Sequence, residues 1–311
     1  MKIKYVKNIF SLYALYLGII IMLGTGVVLL IQWYYTPVEI PHYTIPPQHH
    51  NLMEKIRFVN PASGISKKQK IVLEDNYRIH ALDSEESSVP YCAGEDDKRF
   101  NELKDAFEGD KKYIWSLRGG YGSLKLFNEL SMMKKPKYEK IVIGYSDITF
   151  LHLFLHQKWG WHTIHAAMPV EMINSQKNPK NFSLLFDILE KRKGVIEYDN
   201  IIPLNKLARD TTSITSSLTG GNLTIINTSM GTPWQIDAKN KILFIEDNNN
   251  KGYILDRDLM HLRQSGVLSH VNALIIGTIS GTEEQHIKYA INDFLQHVNI
   301  PVYAAHFIGH G

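Results

Sequence analysis

Lys140-Ile-Val-Ile-Gly-Tyr-Ser-Asp-Ile-Thr149 opens as a short apolar run, breaks at Gly144 and restarts at Asp147 as a helix running to Gln157. A strand that stops at glycine and passes into a helix within three residues is the basic step of a parallel α/β sheet. The same step recurs on both sides of it. Before it come a strand at Ile56–Val59 with a turn at Pro61–Gly64, a helix at Arg99–Glu108 and a strand at Tyr113–Leu117 that ends in Arg118-Gly-Gly-Tyr-Gly122. The Arg99–Glu108 helix carries Phe100, Leu103, Ala106 and Phe107 on one face. After it come a strand at Lys241–Ile245, a helix at Ile254–Ser265 with Leu255, Leu259 and Leu262 on one side, and a strand at Ala273–Ile279. A helix at Glu284–His297 and a last strand at Pro301–Ala305 complete the pattern.

Between these groups, residues 191–232 are rich in Ser, Thr and Asn around Gly220-Gly-Asn-Leu223 and read as the crossing between two lobes. The fold class is therefore α/β, with two lobes of mostly parallel sheet at 51–190 and 233–311 and an active site between them.

At 311 residues, 44% apolar and 21% charged, the chain is long enough for a substantial core and is not disordered in composition. Its net charge of +3 comes from Lys2, Lys4 and Lys7, since no acidic residue precedes Glu39. Beyond that tail the chain is neutral, which argues against a nucleic-acid partner. A single cysteine, Cys92, excludes an intrachain disulfide and any cysteine-based zinc site.

Ile9–Ile31 contains no charged residue and would span about 34 Å as a helix, enough to cross a bilayer. Lysines precede it, and Trp33, Tyr34 and Tyr35 follow it as an interfacial belt. Residues 1–35 are thus expected to be a cytoplasmic tail and uncleaved anchor rather than a signal peptide, with the rest of the chain extracytoplasmic. Thr36–His50, with four prolines, is expected to be an extended tether.

Ser146 sits where a strand-to-helix turn can lift its hydroxyl clear of the backbone and where the helix N-terminus stabilises negative charge. An ordinary helix cap would occupy the same position. A serine nucleophile needs a base and a group that orients the base. Glu246, at the end of its apolar strand, is a candidate orienter, although a turn there would equally use Glu246 or Asp247. His310, in Phe307-Ile-Gly-His-Gly311, is a candidate base. The order Ser146, Glu246, His310 is that of the α/β-hydrolases. Their elbow requires glycine two residues after the serine, where this chain has Ile148. Arg118-Gly-Gly-Tyr-Gly122 lacks the Walker Lys-Ser/Thr, and Lys125 replaces the last glycine of a dinucleotide fingerprint, so an oxyanion-hole loop is the better reading.

From about Lys55 onward these pieces together resemble the LD-carboxypeptidases, a serine peptidase family that includes muramoyltetrapeptide carboxypeptidase and the microcin-immunity enzymes. The likeness runs through Pro61-Ala-Ser63, the Arg99–Phe107 helix, Arg118–Gly122, Gly144–Thr149, the His165 segment, Gly220–Leu223, Phe244–Asp247, Tyr253–Arg257 and Gly309–Gly311. It implies Ser146 as nucleophile, His310 as base and Glu246 as its orienter. The backbone N–H groups of Gly120 and Asp147 become the implied oxyanion hole. No metal or organic cofactor is implied. Arg118 and Arg257 are candidates for holding the substrate carboxylate, and His165 is expected to be structural.

The expected activity is removal of the terminal D-alanine from murein tetrapeptides. Expected partners are that peptide and the membrane, with a homodimer also compatible. The alternatives are a microcin-type peptide–nucleotide hydrolase and a membrane-tethered binding protein without catalysis. The last is favoured because relatives continue past the histidine while this chain stops at Gly311. A terminal carboxylate beside His310 would favour imidazolium and weaken the base.

Overall fold

The computed structural model describes residues 43–80, 89–173, 179–248 and 251–310. The expected anchor, the start of the tether and Gly311 lie outside them. No helix among the described residues is long and apolar enough to cross a membrane.

The first sheet is parallel throughout, in the order β1 (Ile56–Val59), β2 (Tyr113–Ser116), β3 (Ile141–Gly144), β4 (Thr163–His165). The second contains β5 (Ile202–Pro203), β6 (Leu218–Asn222), β7 (Ile242–Asp247), β8 (Ala273–Ile279) and β9 (Val302–Ala304), in the order β5-β9-β8-β7-β6. Only the β5–β9 pair is antiparallel. The mostly parallel α/β reading holds for both lobes.

One helix joins them. Thr149–Trp159 follows directly from the Ser146 turn, and Thr149 through Leu155 are all buried. A helix apolar on every side must be enclosed by other elements. Its Phe150 packs edge-on against Trp234 of the second lobe at 5.0 Å. A single core cluster therefore runs from Val59, Ile114 and Val142 through Phe150 and Phe154 to Leu223, Leu243 and Leu255. The lobes share this core, and the described residues form one compact unit.

Two expectations change here. The 191–232 crossing is divided, because 218–222 is edge strand β6 and Leu223–Ser229 is a helix of the second lobe. Two adjacent glycines gave this strand no side-chain alternation to read. They are there because β6 lies close to its neighbours: a Cβ on Gly221 would stand 2.5 Å from Thr149 Oγ1. Nor is the end of the tether free. The Tyr43 N–H donates to Met172 O at 2.9 Å, its ring lies 5.0 Å from Phe182, and His49 is buried against Glu190 at 2.9 Å. Apolar Tyr43 and Ile45, on alternate positions, dock this extended segment onto the first lobe.

Candidate active site

Ser146 begins a short 3-10 turn, Ser146–Ile148, that precedes the buried helix, and its φ is 64°. A non-glycine residue in the left-handed region carries a cost that the surroundings must offset, and such residues concentrate at functional sites. The compensating glycine lies before the serine rather than after it. Gly144, at φ 158°, is covered by the Ile148 side chain, and a Cβ there would stand 3.1 Å from two Ile148 carbons. The α/β-hydrolase elbow has its glycine at the position of Ile148. The same close approach is made with the two partners exchanged.

The Arg118–Gly122 loop lies against this turn. A Cβ on Gly119 would fall 3.0 Å from Ser146 Cβ and 3.3 Å from its Oγ. The carboxylate of Asp147, which is buried, accepts from the Ser123 N–H at 2.8 Å, while the Ser123 hydroxyl donates to Asp147 O at 2.8 Å. Burial pushes the Asp147 carboxyl up, opposed by the hydrogen bonds from Ser123. Neither Gly120 N–H nor Asp147 N–H is used by a loop or turn hydrogen bond among the described residues. Both are therefore available to a developing oxyanion.

Arg99 holds the loop from behind. It is fully buried, pairs with Asp96, and donates to Gly94 O at 3.1 Å, Gly122 O at 2.9 Å and Pro61 O. One guanidinium thus fastens three loops, a use of its fixed fork of donors. The helix begins at Asp96, one turn earlier than its apolar face suggested, which places Arg99 inside it. The 61–64 loop is further fixed by Asn60 N–H, donating to Glu102 at 2.6 Å. Burial pushes the Glu102 carboxyl up to about 7.

The second lobe brings Glu246 and His310 together. Glu246 is the penultimate residue of β7 and is 0% exposed, while the His310 side chain is 17% exposed. His310 Nδ1–H donates to Glu246 Oε2 at 2.5 Å, which leaves Nε2 as the acceptor. Gly309 permits this approach: at φ 128°, a Cβ on it would sit 2.9 Å from Glu246 Cβ.

Asn222 and Asp247 hold the carboxylate in place. Asn222 Nδ2 donates to Asp247 Oδ1 at 3.0 Å and to Glu246 Oε1 at 3.5 Å. Asp247 also accepts from the Thr224 N–H and hydroxyl at 3.0 and 2.9 Å. The Asn222 N–H reaches Thr149 Oγ1 at 2.9 Å, a direct link between the glutamate's support and the serine's helix.

The two halves meet at Tyr145, whose ring lies 4.7 Å from that of His310. Next to them a cavity of about 460 Å³ is lined by Tyr145, Glu171, Lys180, Tyr198, His306 and Gly309 among others. His165 ends β4 beneath it. Burial lowers its imidazole to about 3, so it is neutral, in keeping with a structural role. Arg118 is exposed and donates to Gly64 O at 2.8 Å. Arg257 is two-thirds exposed on the helix Gly252–Gln264, 4.0 Å from Asp258. No contact recorded for Arg257 reaches Ser146, Glu246 or His310. Sequence reasoning did not single out Arg99, Tyr145, Glu171 or Asn222. Arg99 falls on the same helical face as Leu103 and Ala106, and a charge on that apolar face is the signal the sequence carries.

Two family models match the chain: the N-terminal domain of LD-carboxypeptidase over residues 56–166 and its C-terminal domain over 215–311. A Rickettsia conorii protein that carries the name carboxypeptidase is 41% identical, with 82% of each chain covered. The murein tetrapeptide carboxypeptidase of Pseudomonas aeruginosa is 25% identical, covering 83% of this chain and 88% of its own. Among solved structures, muramoyltetrapeptide carboxypeptidase from Oxalobacter formigenes shares the fold, with a TM-score of 0.64, 21% identity and coverage of 82% and 89%. A microcin C7 self-immunity protein in complex with glutamyl sulfamoyl guanosine does so with 0.64, 18%, 82% and 88%.

Proposed function

The chain belongs to the LD-carboxypeptidase family and is a serine-type carboxypeptidase; from that premise we propose that it removes the terminal D-alanine from murein tetrapeptides through Ser146, His310 and Glu246. The observation that carries this reading is the His310–Glu246 hydrogen bond at 2.5 Å, across the lobe boundary from a serine at φ 64°. Ser146 Oγ attacks the carbonyl carbon of the scissile bond and gives its proton to His310 Nε2. The negative carbonyl oxygen is held by the Gly120 and Asp147 N–H groups. His310 then protonates the departing D-alanine amine, and the acyl-enzyme forms. Water, deprotonated by His310, attacks the ester carbonyl, and His310 returns that proton to Ser146 Oγ as the ester bond breaks and the shortened peptide leaves. Glu246 remains ionised and stabilises the imidazolium. The 460 Å³ cavity receives the rest of the peptide. Arg118 and Arg257, neither of which lines it, are the candidates for the D-alanine carboxylate, Arg118 being the one on the Gly120 loop.

The test is incubation of the full chain in detergent with murein tetrapeptide. Free D-alanine is expected from the wild type and none from Ser146→Ala. Equal release by both would overturn the mechanism. A fluorophosphonate that labels Ser146 separates an active triad from a degenerate binding protein. A second reading, hydrolysis of a peptide–nucleotide, draws on Tyr91 and Tyr121. These two exposed rings meet edge-on at 5.3 Å beside the Gly120 loop and offer an aromatic face to a base. Preferential cleavage of an aminoacyl sulfamoyl nucleoside over the tetrapeptide would favour it. We also propose that residues 9–31 anchor the enzyme with its catalytic part outside the cytoplasm. Recovery of the chain in the soluble fraction, beginning near residue 36, would refute that.

A further inference from the structure

The hydrogen bond to Glu246 holds the His310 ring by one edge, at Nδ1, and leaves its two faces to be held by other neighbours. The torsion that turns an imidazole about its Cβ–Cγ bond is broad, with no sharp staggered wells. For Nε2 to accept a proton from Ser146, something must hold the ring face, and the mechanism above leaves that group unnamed. Among the described residues, the aromatic ring against His310 is that of Tyr145, at 4.7 Å and inclined by 56°. It is also the residue immediately before Ser146, so a shift of its backbone would move the nucleophile as well.

Tyr145 is itself fastened. Its phenol stands beside the Glu171 carboxylate, which acts on the hydroxyl through its charge and its acceptor oxygens. Glu171 lies in the short helix Pro169–Ile173, and its Oε1 accepts from the Met168 N–H at 2.8 Å. Burial, with the Glu171 charge second, pushes the Tyr145 phenol up, so it remains a donor. On another side the ring meets His165 at 5.6 Å, and His165 is backed in turn by Phe244 at 5.3 Å. Tyr145 therefore has support through its hydroxyl and through a neighbouring ring.

We infer that Tyr145 and Glu171 are a positioning pair: the tyrosine ring sets the plane of the His310 imidazole, and the glutamate holds the tyrosine in place. The inference rests on the proposed roles of Ser146 and His310. Neither Tyr145 nor Glu171 exchanges a proton with substrate. They act through His310, and both line the cavity beside it, so peptide entering that cavity meets a wall whose shape is already fixed.

The experiment is the rate at which a small fluorophosphonate labels Ser146 in the full chain, because the probe needs the activated serine but little of the substrate cavity. Tyr145→Ala should slow labelling by about 10- to 100-fold, the cost expected of a misplaced base. Tyr145→Phe, which keeps the ring and loses the tether, should recover most of that loss. Glu171→Ala should resemble Tyr145→Phe, Glu171→Gln should be close to wild type, and Tyr145→Phe combined with Glu171→Ala should be no slower than either alone. Thermal midpoints, measured in parallel, should not follow the labelling rates across the series. Labelling of Tyr145→Ala at the wild-type rate overturns the inference while leaving the triad standing. So does a Phe variant as slow as Ala, or labelling that tracks thermal stability. A wild-type chain that does not label overturns the triad and this inference with it.

Discussion

The proposed nucleophile and its proposed base stand beyond the carboxyl ends of strands in two mostly parallel sheets, yet the two edges are built differently. At the end of β3 the geometry is set by backbone: a left-handed serine, Gly144 beneath Ile148, and a loop held by Asp147 and Arg99. At the end of β7 it is set by side chains: a buried carboxylate, its imidazole partner, and the amide and carboxylate of Asn222 and Asp247. The first edge stores conformational strain, and the second stores buried charge. They should therefore fail differently, the first through geometry and the second through electrostatics and pH.

The largest effect should come from the one atom the first edge exists to present. Ser146→Ala should lower turnover by about 10⁴- to 10⁶-fold. It should also raise the unfolding midpoint slightly or leave it unchanged, because the left-handed φ persists without gain from the hydroxyl. Activity assay and thermal melting read the two separately. At the second edge, Glu246→Gln keeps the shape but removes the charge that stabilises the imidazolium, and should cost about 10³- to 10⁴-fold in kcat. If it costs less than tenfold, the second edge does not depend on charge and the contrast fails.

Arg99→Met should act on stability first. Removing a buried cation leaves three carbonyls without their donor and Asp96 with Lys125 alone, and about 3–5 kcal/mol should be lost in urea unfolding. Turnover measured on the remaining folded protein should also fall, because the Gly120 loop is no longer fastened. Glu102→Gln is the smallest. The folded carboxyl titrates near 7, above its usual range, so the folded state keeps a proton that the unfolded state releases. Stability should fall as pH rises from about 4.5 to 7, at most about 1.4 kcal/mol per unit of pKa difference. The Gln variant should show a flatter profile over that window. An unchanged slope would mean another group is responsible.

The strands and long helices were legible because apolar periodicity reports burial, and Ile56–Val59 and Ala273–Ile279 were read to the residue. β6 was not, because glycines carry no pattern to read, and the docking of Tyr43 depends on a partner surface more than a hundred residues away. Of the site, Ser146, Glu246 and His310 were identifiable as ends of elements. Their supports were not, since Asn222 lies in a stretch read as the crossing between lobes and Tyr145 has no partner nearby in sequence to mark its role. Support residues are recognised by what they touch, and contact between distant segments is not written in local order.

The link from Asn222 N–H to Thr149 Oγ1 and the shared core imply an order of events during synthesis. Ser146 emerges from the ribosome well before Glu246, and His310 later still, after β9 has been made. On the proposed mechanism, a growing chain carries a strained serine with no base and no orienting carboxylate. Hydrolytic power would then arrive only when the second sheet closes against the buried helix, so an unfinished or cut chain has nothing with which to attack the cell's own wall.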